Sequence, residues 1–173
     1  SIDGGISWES VFTASENSYL YSAAKLTDTS LIAVGHNGNL PMIYRSTNNG
    51  QTWERSFTGV EEGHLFSALR VSDTVAIAVG NTTAQLGVVY RSTNSGTTWT
   101  KVFTSVEPSI LQSVTKVTDT VLVAVGYKGN YGVVYRSTDA GATWVRVFTA
   151  SAVSFLRSVS FVIADIVGAV GHD

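Results

Sequence analysis

Three arginines, Arg45, Arg91 and Arg136, recur about 45 residues apart. Brought together by a fold, their planar guanidinium groups could clamp a carboxylate through paired N–H donors. The thirteen Asp and Glu residues include an adjacent pair, Glu61-Glu62, and paired carboxylates are the tools of glycosidic-bond hydrolysis. Any metal site or proton transfer near neutral pH would fall to His36, His64 and His172, because the chain has no cysteine. Asn81-Thr82-Thr83 has the form of an N-glycan acceptor in a loop that could expose it. No glycine-rich turn leads into a helix to cradle a phosphate.

The elements that would carry these groups come in copies. Ser46-Thr47-Asn48-Asn49-Gly50-Gln51-Thr52-Trp53 returns as Ser92-Thr93-Asn94-Ser95-Gly96-Thr97-Thr98-Trp99 and as Ser137-Thr138-Asp139-Ala140-Gly141-Ala142-Thr143-Trp144. An earlier copy, Ser1-Ile2-Asp3-Gly4-Gly5-Ile6-Ser7-Trp8, opens the chain, so the motif holds all four tryptophans. Phe12, Phe57, Phe103 and Phe148 keep the same register, as do Leu20, Leu65, Leu111 and Leu156, and Gly35, Gly80, Gly126 and Gly171. The repeats run 1–45, 46–91, 92–136 and 137–173 within one domain, 1–173.

Repetition also serves as an internal control, because a residue found in every copy is explained by how the copy is built. By that test the arginines are strand-end residues. Asp28, Asp73 and Asp119 are turn residues, each paired at the surface with the base three positions earlier, Lys25, Arg70 or Lys116. Arg55, Lys101 and Arg146 form a second ladder on a solvated outer edge, and Glu61-Glu62 reads as a solvated turn. His36 and His172 share a loop position without a second ligand nearby, so no metal and no cofactor is expected.

Within one period the pattern predicts four short strands. Leu65 to Val71 alternates, with Ser67 at a position that is Ser22, Ser113 and Ser158 in the other copies. Ser72-Asp73-Thr74 makes a tight turn, and Val75-Ala76-Ile77-Ala78-Val79-Gly80 reads as a strand buried on both faces. Gly87 to Arg91 is the third strand and Trp99 to Thr104 the fourth. No stretch has helical spacing. Four antiparallel strands every ~45 residues form a β-propeller blade, and a right-handed β-solenoid, with shorter coils, fits less well. The recurring serine suits a first strand crowded near the propeller axis.

The Ser-x-Asp/Asn-x-Gly-x-Thr/Ser-Trp unit closely resembles the Asp box, or bacterial neuraminidase repeat. This is the box of sialidases, sortilin-type receptors, some xyloglucan-active glycosidases and photosystem II assembly factors. The resemblance implies that the box joins the third and fourth strands of a blade, away from the usual ligand face. Asp3, Asn48, Asn94 and Asp139 are then turn-forming acceptors. Gly5, Gly50, Gly96 and Gly141 allow positive φ, and Trp8, Trp53, Trp99 and Trp144 plug the space between blades. The Phe/Tyr-Arg-Ile-Pro signature of sialidases is missing, since Leu40-Pro41-Met42-Ile43-Tyr44-Arg45 has another order.

Composition narrows the rest. The 173 residues are 44% hydrophobic and 14% charged, with net charge −2, which excludes disorder and gives nucleic acid no basic footprint. No apolar run is long enough for a membrane span. The chain holds about 3.8 periods. It starts inside a box with a lone fourth strand, Trp8 to Thr13, and stops after the second strand of its last blade. It is therefore expected to be a segment of a propeller of about six to eight blades, or to self-associate through open blade edges. The last repeat departs from the pattern, with Asp165 one position later than Asp28, Asp73 and Asp119. The expected function is a non-enzymatic interaction or scaffold module that binds protein or carbohydrate. The alternative is a fragment of a glycosidase whose catalytic residues lie outside this chain. An exported, extracellular location is expected. Binding is expected on the face opposite the boxes, where the copies diverge, through His36, Asn37, Glu61, Glu62, Tyr127, Lys128 and Tyr131.

Overall fold

The computed structural model of the chain describes every residue except Ile2, Ser15, Glu16, Ala164, Asp165 and Asp173, so the irregular Asp165 lies outside the described residues. The described residues are all-β. Strands β1 (Ser18–Lys25), β2 (Leu31–Asn37), β3 (Leu40–Ser46) and β4 (Glu54–Thr58) form one antiparallel meander. A second comprises β5 (Gly63–Arg70), β6 (Ala76–Thr82), β7 (Leu86–Ser92) and β8 (Thr100–Pro108). A third comprises β9 (Ile110–Lys116), β10 (Leu122–Lys128), β11 (Tyr131–Ser137) and β12 (Val145–Thr149), and β13 (Phe155–Ile163) pairs with β14 (Ile166–His172). These are propeller blades, with the predicted strands in the predicted order. The apolar second strands are buried through their middle, as at Ala76–Val79. Each blade presses them between its neighbours.

One correction concerns the N-terminus. Residues 8–14 form no strand. A fourth strand bonds to the third strand of its own blade, and among the described residues no such strand lies beside this segment. Phe12 instead packs edge-on against Tyr44, at 4.9 Å between ring centroids.

Two repeated small residues have a definite task. The first strand of each blade carries a bulge: Leu65 faces Gly80 and Ser67 faces Val79, leaving Phe66 unpaired. The bulge swings the preceding carbonyl over the second strand. A Cβ on Gly35, Gly80, Gly126 or Gly171 would collide with the backbone oxygen of Tyr19, His64, Ile110 or Phe155 respectively. Only glycine permits that approach. The serine one step beyond the bulge reaches sideways to the next blade. Ser22 Oγ accepts the Ala68 N–H at 3.2 Å, Ser67 Oγ that of Val114 at 3.4 Å, and Ser113 Oγ that of Val159 at 3.3 Å. The serine is thus small and also a stitch between inner strands.

The boxes are closed units that dock backwards. In the second box, Ser46 Oγ accepts the Gly50 N–H at 2.9 Å and Asn48 Oδ1 accepts the Thr52 N–H at 2.9 Å. Trp53 Nε1 donates to the Gly50 carbonyl at 3.0 Å, so the indole N–H is satisfied inside the loop. Two consecutive residues take positive φ, as at Ser95 (56°) and Gly96 (77°). Gly96 lies against Leu26 and Ile32 of the first blade, and Gly141 against Ile77 of the second. Trp99 packs on the cluster joining the first two blades, which includes Leu26, Ile32, Leu65 and Ala78. Trp144 is buried in the next junction, with Val71, Val79, Leu111 and Leu122. Trp8 has no such junction and is 81% exposed.

The arginines complete the docking. Arg45 Nε donates to the Ser95 carbonyl at 2.7 Å, and Arg91 Nε to the Ala140 carbonyl at 3.0 Å. Each arginine therefore holds the box of the following blade. The turn pairs are present too: Lys25–Asp28 at 3.5 Å, Lys116–Asp119 at 3.0 Å, and Arg70–Asp73. The second ladder needs correction, because it is not simply solvated. Lys101 pairs with Glu61 at 2.7 Å, and Arg146 with Glu107 at 2.7 Å. Glu61 reaches from the connection before β5, and Glu107 from the end of β8, onto the fourth strand of the blade that follows.

Truncating Trp144 to alanine should cost about 3–5 kcal/mol of stability, the loss typical of a buried aromatic. Trp8→Ala should change the stability of the dilute monomer by less than about 0.5 kcal/mol. Urea unfolding of both variants, followed by circular dichroism, reads the contrast directly.

The box acceptors generate a second expectation. Partial burial works to raise the Asp139 pKa, but bonds from the Thr143 hydroxyl and amide and the Ser137 hydroxyl prevail and bring it from 3.8 down to about 2. A carboxyl depressed on folding stabilises above its unfolded pKa and loses that contribution as pH falls through its folded value. Asp139→Asn should therefore flatten part of the acid unfolding curve between about pH 4 and pH 2. Stability at neutral pH should stay unchanged, because Asn48 and Asn94 make the same loop. In those boxes the amide Nδ2 donates to the threonine hydroxyl, at 2.9 and 2.8 Å, whereas in the Asp139 box the hydroxyl donates instead.

Candidate functional site

The boxes share one face with the turns between first and second strands. Asn49, Ser95 and Ala140 each donate a backbone N–H to that turn, on Thr29, Thr74 and Thr120 respectively, at 2.9 Å. On the opposite face the second-to-third-strand hairpins bond to the connections between blades. Examples are Gly63 N–H to Asn39 O at 2.7 Å and Ser109 N–H to Gln85 O at 2.6 Å. The hairpins are tighter than the sequence suggests. Strands reach to Asn37, Thr82 and Lys128, so His36, Tyr127 and Lys128 are strand residues and Tyr131 begins β11.

A cleft of about 610 Å³ lies on the box face between Lys25, Asp28, Arg70 and Asp73. Its lining is repeated blade construction, already engaged in ion pairs. The opposite face is different in kind. At the start of each first strand stand Tyr19, His64, Ile110 and Phe155, followed at the bulge by Tyr21, Phe66, Gln112 and Arg157. Beside them on the second strands are His36, Asn81, Tyr127 and His172. The neighbouring serine and glycine are fixed in every blade, yet these positions vary. They form a belt of aromatic and imidazole groups where the inner strands reach the loop face.

In the first two blades the belt is continuous. His36 is 9% exposed. It stacks on Tyr19 (5.0 Å between centroids), and its ring lies 4.1 Å from that of His64. His36 Nδ1 is 2.6 Å from the Gly38 carbonyl, which can only accept, so Nδ1 carries the proton. Nε2 then accepts the Tyr21 hydroxyl at 3.0 Å. Burial, and secondarily the His36 ring, hold the His64 pKa below 6.5. Tyr21 and Phe66 pack at 5.3 Å, although Tyr21 stays half exposed. In the later blades Arg157 lies over the Tyr127 ring at 4.9 Å, and Phe155 meets Tyr127 edge-on.

The predicted residues thus divide. His36 and Tyr127 belong to the belt. Asn37 ends β2, and Tyr131, 44% exposed, begins β11 on the same face. Lys128 is held by Glu107 at 2.7 Å, and Glu61 by Lys101. Glu62 is exposed in its connection, where its carbonyl accepts the Thr83 N–H. Asn81 departs from expectation as a glycan acceptor. It sits in β6, 8% exposed, with Nδ2 donating to the Thr82 carbonyl at 2.7 Å. Its Oδ1 finds no donor among the described residues. Sequence reasoning missed Tyr19, Tyr21, His64, Phe66, Phe155 and Arg157, although its own rule of divergence between copies could have found them. Among the described residues no three of His, Asp or Glu gather as a metal site.

Against this geometry, the family model of the BNR/Asp-box repeat matches residues 44–55, from the end of β3 through the second box. The described residues form propeller blades, and the second box matches the Asp-box repeat. Similar solved structures include YCF48 bound to a D1 peptide, at 14% identity over 86% of this chain and 46% of that one, with a TM-score of 0.63. An ancestral GH74 enzyme matches at 19% identity over 76% of this chain and 20% of that one, TM-score 0.59. The GH93 α-L-arabinofuranosidase of Fusarium graminearum with arabinobiose matches at 16% identity over 83% and 52%, TM-score 0.56. These likenesses are of fold, and this chain spans about half or less of each. No curated protein sequence matches it.

The cluster predicts a titration. By NMR, the His64 imidazole should titrate below 6.5. His36→Gln should move it only part of the way back, because burial is the larger cause. A midpoint at or above 6.5 in the unmodified chain would mean the rings are not packed together.

Proposed function

We propose that this chain is an interaction module without catalytic activity, which holds an extended segment of a partner protein on its loop face. The observation that carries the reading is the belt, an aromatic and imidazole surface made from positions that differ from blade to blade. Such rings give contact area at low entropic cost and carry donors and acceptors at their rims. The buried, unpaired Oδ1 of Asn81 adds an acceptor that a backbone N–H of a bound segment would satisfy. The peptide carried by the YCF48 propeller is consistent with this use of the fold.

The second reading, a glycosidase segment, draws on the likeness to the GH74 and GH93 enzymes. Three carboxylates are unsuited to the work of a general acid. Asp3, Glu107 and Asp139 are all shifted downward, whereas a general acid needs a raised pKa. Glu107 is held at about 2 by Lys128 and Arg146.

Arrays of peptides and of oligosaccharides should show retention on peptides. Tyr21→Ala and Tyr127→Ala should each lower it at least about tenfold, the loss of a single aromatic anchor. Asp73→Ala on the box face should leave it unchanged. Retention on oligosaccharides alone, or turnover of an aryl α-L-arabinofuranoside, would replace the proposed function with the second reading.

A further inference from the structure

Where the first two four-stranded blades meet, the belt carries two imidazoles that are held very differently. His36, on β2, is fixed at both ring nitrogens. Its Nδ1 donates to the Gly38 carbonyl at 2.6 Å, and its Nε2 accepts the Tyr21 hydroxyl at 3.0 Å. His64, at the start of β5, is only partly buried, and among the described residues no hydrogen bond holds its ring. Packing alone keeps it in place, with 4.1 Å between its centroid and that of His36 and 6.0 Å to that of Phe66. Its backbone is pinned, because its carbonyl lies over Gly80 and it pairs with Asn81 of β6. Rotation about the side-chain bonds is therefore the motion open to His64.

The surroundings do nothing to favour a positive charge. Strand β1 contributes two neutral phenols, Tyr19 and Tyr21, both stacked on His36. Opposite His64 on β6 is the neutral Asn81, whose Oδ1 accepts nothing from it in this arrangement. The carboxylates nearest along the chain are Glu61, held by Lys101 at 2.7 Å, and Glu62, exposed in the same connection. Among the described residues no carboxylate pairs with either imidazole. A first proton would sit unpaired in a partly buried cluster, and a second would add repulsion between rings in contact. His36 keeps both of its bonds when charged, since the Tyr21 hydroxyl can turn from donor to acceptor. His64 has no such partner. Whichever ring takes the first proton, His64 is the one free to turn outward into water.

We propose that the contact between His36 and His64 is an acid-operated release for the segment held on the loop face. The rings lie together when neutral and part when protonated, which breaks the belt where it is continuous. This rests on the interaction module proposed above. The direction follows from what packing does to charge, because burial and then the His36 ring hold the His64 pKa below 6.5. A ring shifted downward by packing stabilises the packed form above its open-state pKa. That contribution is lost as pH falls through its packed value. The closed belt therefore belongs to neutral pH and the open one to acid.

Proton NMR between about pH 7.5 and about pH 4.5 tests the contact on the full chain without any partner. Ring-to-ring NOEs between His36 and His64 should be present at the neutral end and lost at the acid end, while far-UV circular dichroism stays constant. His64→Phe installs the residue type that Phe155 supplies at this position on β13, and its ring contact with His36 should persist throughout. The peptide array, washed at both pH values, reads the consequence. Retention by the unmodified chain should fall at least about fivefold in acid, since each pH unit between the open and packed values shifts the balance about tenfold. For His64→Phe the ratio of acid to neutral retention should stay near one. Rings still in contact at the acid end, loss of the strands over the same range, or an equal acid loss in both proteins would overturn the proposal. Absence of retention at both pH values would overturn the interaction module, and the release with it, while the NOEs still decide whether the rings part.

Discussion

Everything in this molecule depends on how one loop of each blade seats on the blade before it. A box glycine with positive φ lets the loop lie flat against an apolar second strand, where a side chain at Gly96 or Gly141 would meet Leu26 and Ile32 or Ile77. The tryptophan beside it then drives apolar burial, while its N–H is consumed within the loop. A buried indole normally needs a partner from its surroundings, and here the loop supplies one. The junction can therefore be almost wholly apolar. Its charge-assisted contacts are the arginine that binds a carbonyl of the loop and, between the second and third blades, Lys116 Nζ on the Val71 carbonyl at 2.9 Å.

This arrangement makes the structure additive, as in repeat proteins generally. Each core cluster is assembled from two neighbouring blades rather than within one. No blade is self-sufficient, and the end surfaces are as apolar as the interior ones. Val145, Val147 and Val170 are exposed at one end, and Trp8 and Val11 at the other. The same geometry separates construction from use. The box face carries the repeated box-to-turn and arginine bonds, whereas the loop face joins the blades largely through backbone groups. Its side chains can differ from copy to copy without loosening the stack, and the aromatic belt has developed there.

Polar groups near the belt show how repetition can hide function. Glu61 and Glu107 occupy matching repeat positions, in the connection before β5 and at the end of β8, and pair with matching bases on the fourth strands, Lys101 and Arg146. Lys128 joins Glu107 in the third blade. The exposed charges first suspected of binding are thus partly spoken for, whereas His64, considered at first only for metal or proton transfer, lies against His36. The loop face is consequently more aromatic and less charged than its composition suggests.

Much was decided by local chemistry and is legible in the chain itself. The alternation of apolar residues, the Asp turns and the Ser-x-Asp/Asn-x-Gly box act over a few residues each, so the strands, their order and the blade follow from reading along the chain. The pairing of Lys25, Arg70 and Lys116 with their turn aspartates is local as well. What lay out of reach involved contacts between neighbouring blades, where a lateral offset and a bulge decide which atoms meet. Recurrence marks Ser22, Gly35 and Arg45 as structural, but only the docked blades show that the serine stitches inner strands, that the glycine yields to a carbonyl and that the arginine holds the next box. Tertiary structure likewise buried Asn81, left residues 8–14 without a strand partner and placed His36 on His64. Sequence separation across a junction is almost constant, so repetition signals that blades touch. Which side chains touch depends on the twist and offset between sheets, and those are set only when whole blades pack.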